Sequence, residues 1–486
     1  MNRQLIRALV AAGTLLLLAV LVFVGKAWYD SRLPETYNVM EYGAPDYGGG
    51  PAPSHDHERG RTSVRDLGGP TGVADVRIEL TARKAEIRLD SGEKVDALTF
   101  NGQVPGPEIR VKRRDLVEVT LLNEDIDRGV AIHWHGVDLP NREDGVAGVT
   151  QDAVLPGGRY TYRFRADQLG TFWYHSHQDS ASQVARGLYG VFVIEPRARP
   201  ATLDLSVPVH TFGGKRVFGT SDGLVRRPVA AGREVRLRVV NTDDVRRDLF
   251  LRGTPFRVLA IDGVDLKEPG LLEAVKLPLG AGGRYDLGFT MPSSAVSLGD
   301  LGSRAGIVFG PPAGVESPPV DPATQFDPAA YGAGWTNDEP LDRFDRHFTI
   351  EIGRKLGFLN GRPGYHWSLN GKLFPDVPMP VVRKGELVKI TFVNHSGALH
   401  PMHLHGHHVL VVSRNGEAVK TPWWVDILDV GADERYDVVF RASNTGIWML
   451  HCHNLPHAGA GLVTHLTYDG VTTPFRVGGH AHNHPE

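Results

Sequence analysis

The chain has 486 residues, with 53 Lys and Arg against 56 Asp and Glu, so its formal net charge is −3. This balance is globular, and it gives neither the basic footprint of a nucleic-acid-binding protein nor an acidic tail. The 57 Gly and 33 Pro residues exclude a helical bundle and favour short strands joined by turns. A single Cys excludes an intrachain disulfide, whereas 22 His residues in clusters indicate metal chemistry.

The N-terminal segment begins with Arg3 and Arg7 and continues into a charge-free, mostly apolar run over 8–24. This run is slightly shorter than the hydrocarbon core of a bilayer when helical. It is either the core of a cleaved signal peptide, with Gly-Lys-Ala at 25–27 as the cleavage site, or a retained membrane anchor. Its length and the Trp-Tyr pair at 28–29 favour the anchor. In both cases we expect the rest of the chain to be exported.

Three copies of one pattern follow, at Asp115–Asn123, Arg233–Asn241 and Glu386–Asn394. Each alternates apolar and polar residues and closes on Asn, and an Arg-Tyr pair starts a further strand downstream. Alternation with a period of two predicts strands with one buried face, so we predict an all-β fold of three β-sandwich domains. The predicted divisions are the leader 1–27, a Gly- and Pro-rich flexible spacer 28–75, domains 76–197, 198–315 and 340–470, a Pro-rich linker 316–339 and a His-containing tail 471–486.

Paired histidines mark the first and third copies. On a strand, residues i and i+2 point to one face, so each pair directs two imidazoles to one place. In the last cluster, alternation sends Cys452 to the side opposite His451 and His453. One thiolate with two imidazoles is typical of a blue-copper centre, whereas structural zinc prefers closed, Cys-rich sites. The clusters are His133-Trp-His135, His175-Ser-His177, His400-Pro-Met-His403-Leu-His405, and His451-Cys452-His453 followed by His457.

These motifs, in this order over about residues 76–470, resemble the multicopper oxidases, a laccase-like family of three Greek-key cupredoxin domains. The resemblance implies four copper ions, with dioxygen reduced to water between the first and last domains. It also implies electron transfer from Cys452 to the cluster through His451 and His453. The implied ligands are His400, Cys452 and His457 for type 1 copper, His133 and His403 for type 2 copper, and His135, His175, His177, His405, His451 and His453 for the type 3 pair.

Three further positions follow from the resemblance. The axial position of the type 1 copper falls on Leu462, which cannot ligate; loss of a thioether donor should raise the potential. Asp144 matches an acidic residue that relays protons to the cluster, although a turn Asp before Gly145 is the alternative. Ala458 stands where many bacterial relatives have Glu, which leaves proton delivery from that side open.

The middle copy is expected to bind no copper. Aligning Gly253 with Gly406 places Phe250 and Arg252 where the third copy has ligand histidines. Other histidines are expected in the core or at the surface. His407 or His408 could line the substrate approach, and the histidines at 480, 482 and 484 belong either to a disordered polar tail or to a copper-scavenging one.

The sequence specifies the reducing substrate only weakly. The resemblance makes phenols and aromatic amines the expected donors. A cuprous oxidase serving copper tolerance is the alternative, weakened because the 6 Met residues are unclustered and soft thioethers suit Cu(I). A ferroxidase would need carboxylates beside His457. A non-enzymatic copper-binding protein or scaffold is disfavoured because no ligand is missing, and a copper nitrite reductase because it lacks the paired type 3 motifs.

Overall fold

The computed structural model describes residues 3–52, 61–198, 202–310, 324–335 and 343–486. Helix α1 (Arg3–Asp30) has no buried residue and is, within these ranges, the one helix long and apolar enough to cross a membrane. The remaining helices of the described chain are α2 (Ser180–Ala185) and α3 (Leu455–Gly459), and 3-10 turns span Val39–Glu41, Val64–Asp66, Asn141–Glu143 and Pro328–Ala330.

Three β-sandwiches follow α1, which confirms the predicted all-β fold class. The first packs Lys94–Phe100, Val76–Arg88, Leu116–Asn123 and Arg159–Arg165 against Ile109–Lys112, Tyr189–Glu195, Gly170–Ser176 and Ile132–His135. The second packs Lys215–Phe218, Leu203–Phe212, Glu234–Asn241, Arg284–Thr290, Arg257–Ile261 and Val264–Asp265 against Leu224–Pro228, Gly306–Gly310, Val296–Asp300, Arg247–Arg252, Val275–Leu279 and Thr324–Gln325. The third packs Arg362–Leu369, Arg346–Leu359, Leu387–Asn394, Arg435–Arg441, Val409–Arg414 and Glu417–Val425 against Ala44–Asp46, Pro378–Val382, Val463–Tyr468, Ile447–Cys452, His400–Leu404 and Ile427–Val430.

The closing Asn of each repeated strand has the same role in all three sandwiches. The side-chain amide of Asn123 donates to the carbonyls of Ile126 and Val154. Asn241 and Asn394 donate in the same way to carbonyls at or just past a strand end of their own sandwiches. Buried backbone carbonyls require partners, so an amide at the strand end satisfies them where the ladder stops.

The segment predicted as a flexible spacer is largely ordered, and that prediction was wrong for its described part. Ala44–Asp46 adds a parallel strand to the edge of the third sandwich, and Thr36–Tyr37 and Thr62–Ser63 pair with Val477–Gly478 and Val471–Thr472. Open sheet edges offer unpaired backbone groups, which a Gly- and Pro-rich chain can still satisfy. His55 and His57 lie outside the described residues.

The tail is ordered as well, contrary to the disordered alternative. The carbonyl of His484 accepts from the backbone N–H of Asp179 at 2.6 Å, and the backbone N–H of His484 donates to Gln178 Oε1 at 2.8 Å. Ser180 donates to Oε2 of Glu486 at 3.0 Å, and Glu486 is 8% exposed. Segment 480–486 therefore lies against the loop that follows the His175–His177 motif.

The predicted Pro-rich linker contributes structure to its neighbours. Thr324–Gln325 joins the edge of the second sandwich. Asp327 accepts from Arg414 of the third sandwich at 3.1 and 2.8 Å, so the segment ties the two sandwiches together. The prolines at 311, 312, 318, 319 and 322 lie outside the described residues.

Candidate metal centres

The first centre joins His400, Cys452 and His457, whose donor atoms lie within 4.8 Å of one another. The Sγ of Cys452 is 3.5 Å from Nδ1 of His400 and 3.9 Å from Nδ1 of His457. Strands His400–Leu404 and Ile447–Cys452 are antiparallel neighbours, which brings the first two together. Helix α3 carries His457, and the Asn454 side chain caps its N-terminus. A thiolate and two imidazoles converging on one point suit a copper ion.

Leu462 lies directly behind this centre. It is fully buried; its carbonyl accepts from the backbone N–H of Cys452 at 3.1 Å, and its own N–H donates to the carbonyl of His457 at 3.0 Å. Burial raises the pKa of the Cys452 thiol. The thiol therefore loses its proton only when a cation replaces it.

The ring of Trp367, with the Arg354 guanidinium stacked on it, lies against both histidines of this centre, and we call this pair the cationic edge. The ring centroid of Trp367 lies 4.8 Å from that of His400 and 4.4 Å from that of His457. The guanidinium of Arg354 lies 3.9 Å above the Trp367 ring centroid. Burial is the main cause that lowers the pKa of His400 to about 3 and that of His457 to about 4, and the charge of Arg354 lowers both further.

The second centre is formed by the remaining paired histidines, which come from the first and the third sandwich. In the first sandwich His133 is the cross-strand partner of His175, and in the third His403 is that of His451. Rings from the two sandwiches stack, with centroids 3.9 Å apart for His135 and His403. We call this group the His cluster: His133, His135, His175, His177, His403, His405, His451 and His453.

The ring nitrogens of the His cluster show which atoms are available to a metal. The Nδ1–H groups of His133, His177 and His403 donate to backbone carbonyls at 2.8–2.9 Å, and their Nε2 atoms are buried without a partner. In His135 the roles are reversed, because Nε2 lies 3.2 Å from Oδ1 of Asp426 and Nδ1 is the unpartnered atom. His405 and His451 direct their Nε2 atoms at each other across 3.1 Å.

Orphaned buried nitrogens are costly unless a ligand satisfies them, so the residues present fit a group of metal ions. Their electrostatics agree. In six members of the cluster the pKa lies well below its usual range, mainly because of burial and secondly because of the neighbouring imidazoles. Burial is also the largest cause that lowers the pKa of His403, to about 3. These seven imidazoles are therefore neutral, as metal ligands must be. The six are His135, His175, His177, His405, His451 and His453.

Asp144 touches two members of the cluster. Its carboxylate lies 3.1 Å from Nδ1 of His133 and 3.1 Å from Nδ1 of His405, and the residue is 1% exposed. A carboxylate at the outer nitrogen of a ligand histidine fixes the tautomer and the ring orientation. The alternative of a simple turn residue therefore does not describe its side chain.

Sequence reasoning missed a second buried carboxylate and its partner. Arg284 of the middle sandwich donates to both oxygens of Asp426, and Asp262 accepts from the backbone N–H groups of Asp426 and Ile427 at 3.3 and 3.1 Å. Burial alone would raise the pKa of Asp426, but Arg284 and two histidines outweigh it and hold that pKa well below its usual range. The middle sandwich thus has no ligand in the cluster but positions a carboxylate that does touch one.

Glu486 and His408 also lie near the cluster. An Oε1 atom of Glu486 is 3.1 Å from Nδ1 of His451, on the side where Ala458 leaves no acid. His408 lies between Asp138 (3.5 Å) and Asp426 (3.4 Å), which raise its pKa to about 10 against the opposing effect of burial. Through Asp426, His408 therefore lies next to the His cluster.

Comparison with known proteins agrees with this geometry. The multicopper oxidase family matches residues 81–199 and 352–470. The chain is 27% identical over 466 residues to Multicopper oxidase MmcO of Mycobacterium tuberculosis, covering 82% of this chain and 88% of that protein. A crystal structure of a multi-copper oxidase from Pseudomonas thermotolerans has a TM-score of 0.68 and 29% identity, covering 81% and 99% of the two chains. The chain belongs to the multicopper oxidase family.

Laccases are also similar to this multicopper oxidase. Laccase-1 of Botryotinia fuckeliana is 27% identical over 442 residues, which covers 75% of this chain and 77% of that protein. Family membership makes the chain an oxidoreductase that uses dioxygen, with type 1, type 2 and type 3 coppers as cofactors. Its three sandwiches are cupredoxin-like.

Proposed function

We propose that this multicopper oxidase is an exported laccase-like enzyme that oxidises phenols and aromatic amines one electron at a time and reduces dioxygen to water. The bound coppers supply the one-electron exchange and the oxygen chemistry. His400, Cys452 and His457 would hold type 1 copper, and His133 and His403 would hold type 2 copper. The type 3 pair would be held by His135, His175, His177, His405, His451 and His453.

The chain itself links the two centres. Cys452 lies in the first centre, and its sequence neighbours His451 and His453 lie in the His cluster. The proposed domains, 76–197, 198–315 and 340–470, place the first and third sandwiches on either side of that cluster. The proposed role of Asp144 is to hold its two histidines and to move protons toward the cluster from its outer face.

The cationic edge of the first centre is the observation that favours phenols. Arg354 lies over Trp367, which contacts both histidines of the centre. A positive charge repels Cu(I) and Fe(II) and favours the phenolate form of a phenol, which is the easier form to oxidise. Among the described residues, neither His400 nor His457 pairs with an Asp or Glu.

The methionines support the same choice. Met291, Met379, Met402 and Met449 are buried, and Met40 is half-buried. No methionine of the described chain is therefore displayed at the surface as a soft ligand for Cu(I). A cuprous oxidase is the second candidate, because outer-sphere electron donation demands little shape.

The test is oxygen uptake by the copper-loaded full chain with three donors at equal concentration: a dimethoxyphenol, Cu(I) and Fe(II). The proposal expects the highest kcat/KM with the phenol. A clear preference for Cu(I) would transfer the function to copper detoxification. A preference for Fe(II) would also contradict the argument from the cationic edge.

We also propose that α1 is a retained anchor with Arg3 and Arg7 on the cytoplasmic side. The helix is longer than the apolar run within it, and every residue of that run, 8–24, is exposed. The intact mass of the protein recovered from membranes tests this. A mass that corresponds to cleavage near residue 27 would contradict it.

A further inference from the structure

One hairpin extends from the type 1 centre toward helix α1. Its strands Arg346–Leu359 and Arg362–Leu369 pair so that Arg354 lies opposite Trp367 and Leu356 opposite Tyr365. Residues two apart on a strand, and residues directly opposite, share a face of a hairpin. Trp367 contacts the histidines of the centre, and the next pair along the same face is exposed, Leu356 by 77% and Tyr365 by 61%.

The same hairpin is basic. Residues 352–375 contain no Asp or Glu. Four cationic side chains lie in this stretch, and all four are exposed: Arg354, Lys355, Arg362 and Lys372. Exposed apolar and aromatic side chains among Lys and Arg are typical of surfaces that sit in the headgroup region of an anionic bilayer.

The tip of the hairpin is attached to the end of α1. The Asn360 side chain accepts from the backbone N–H of Leu33 at 3.2 Å, and Ser31 Oγ accepts from the backbone N–H of Gly361 at 3.1 Å. The indole of Trp28 lies so close that a Cβ on Gly361 would be 3.2 Å from its Nε1. A Trp at the end of an apolar helix marks the membrane interface. These contacts therefore place the hairpin at the depth where α1 leaves the bilayer.

We propose that the face of Leu356 and Tyr365 docks on the lipid surface, and that the type 1 centre takes electrons from a membrane-dissolved hydroquinone. This inference rests on the proposed function and on the retained anchor. Two hydroquinones each lose two electrons and two protons to become quinones. One dioxygen takes up those four electrons and four protons and becomes two water molecules.

The chain offers a selective probe of this contact. Cys452 is the only Cys and is buried, so Tyr365→Cys supplies one accessible thiol for an environment-sensitive fluorophore. The labelled, copper-loaded full chain is reconstituted in anionic vesicles with and without brominated lipids. Leu271→Cys, at a residue 64% exposed in the middle sandwich, is the matched control. We expect bromine quenching at least threefold greater at position 365, and equal quenching would overturn the proposal.

A second experiment measures selectivity. Leu356→Glu and the control Leu271→Glu are compared in vesicles with decyl-hydroquinone and with a water-soluble dimethoxyphenol. We expect Leu356→Glu to lower the ratio of kcat/KM for the hydroquinone to that for the phenol at least fivefold, and Leu271→Glu to leave the ratio as in the parent. The same ratio in both variants would contradict docking. Absence of phenol oxidation in the parent would instead contradict the proposed function.

Discussion

Arg284 allows a test of how the ligand-free middle sandwich supports the His cluster. The substitution is Arg284→Met, which removes the guanidinium and keeps most of the buried volume. Arg284 is fully buried and binds both oxygens of Asp426, and Asp426 in turn lies 3.2 Å from Nε2 of His135. The variant therefore leaves a buried carboxylate without its main cation.

The expected magnitude follows from burial. Removing one partner of a buried ion pair costs about 3–5 kcal/mol, because the other charge stays uncompensated. This is a large part of the roughly 5–15 kcal/mol that stabilises a typical domain. Arg284 also holds Asp426 in place against His135, and loss of such an outer-shell partner lowers metal affinity or activity by about 10–100-fold. We therefore expect both lower stability and loss of type 3 copper.

A matched control separates the two effects. Arg346 is as buried as Arg284 and binds both oxygens of Glu386 at 2.8 Å, yet it contacts none of the proposed ligands. Arg346→Met should also lower the free energy of unfolding, though by less because the Glu386 side chain is 15% exposed and water can solvate it, and it should retain copper. The assays are denaturant unfolding, the copper content per chain and the near-ultraviolet absorption of the type 3 pair.

The signature expected of Arg284→Met is selective. Type 3 absorption and reoxidation by dioxygen should fall at least tenfold, whereas the blue absorption of the type 1 centre should remain. If both variants lose the same copper, or if Arg284→Met keeps full type 3 absorption, the reasoning about Asp426 and His135 is refuted.

Three further predictions concern the centres themselves. Leu462→Met adds a thioether at the axial position and should lower the type 1 reduction potential in a redox titration; an equal or higher potential would be inconsistent with an axial role. Arg354→Glu reverses the charge beside Trp367 and should raise kcat/KM for Cu(I) relative to phenol about fivefold, since reversing a unit charge about 8 Å from a monovalent donor changes their interaction by about 1 kcal/mol in water. An unchanged ratio would show that Arg354 does not select the donor. Asp144→Ala should lower kcat by about 10–100-fold with the type 1 absorption retained, and normal turnover would remove Asp144 from the mechanism.

Strand patterns and ligand pairs could be predicted because each is local. Alternation over Asp115–Asn123 and its two repeats specifies strands, and an i, i+2 spacing specifies a shared face wherever a strand forms. The fate of the Gly- and Pro-rich segment at 28–75 depends instead on distant partners. Ala44–Asp46 is ordered because an open edge of the third sandwich accepts it, and no local composition signals that edge.

The supporting carboxylates are hidden for the same reason. Arg284 opens the second Arg-Tyr strand, and its counterparts Arg159 and Arg435 have the same local sequence but are exposed. Only tertiary packing turns one of the three toward Asp426. Glu486 reaches His451 from a segment whose polar composition suggests disorder. Contacts between residues far apart in the chain leave no pattern in a single sequence.

The most direct test of the central claim is the electron balance of the copper-loaded protein. Four copper ions per chain should be bound, four equivalents of a one-electron phenol should be oxidised for each dioxygen consumed, and no peroxide should accumulate. Two equivalents per dioxygen with peroxide as the product would contradict reduction to water at the His cluster. No oxygen uptake with four coppers bound would contradict the enzyme itself.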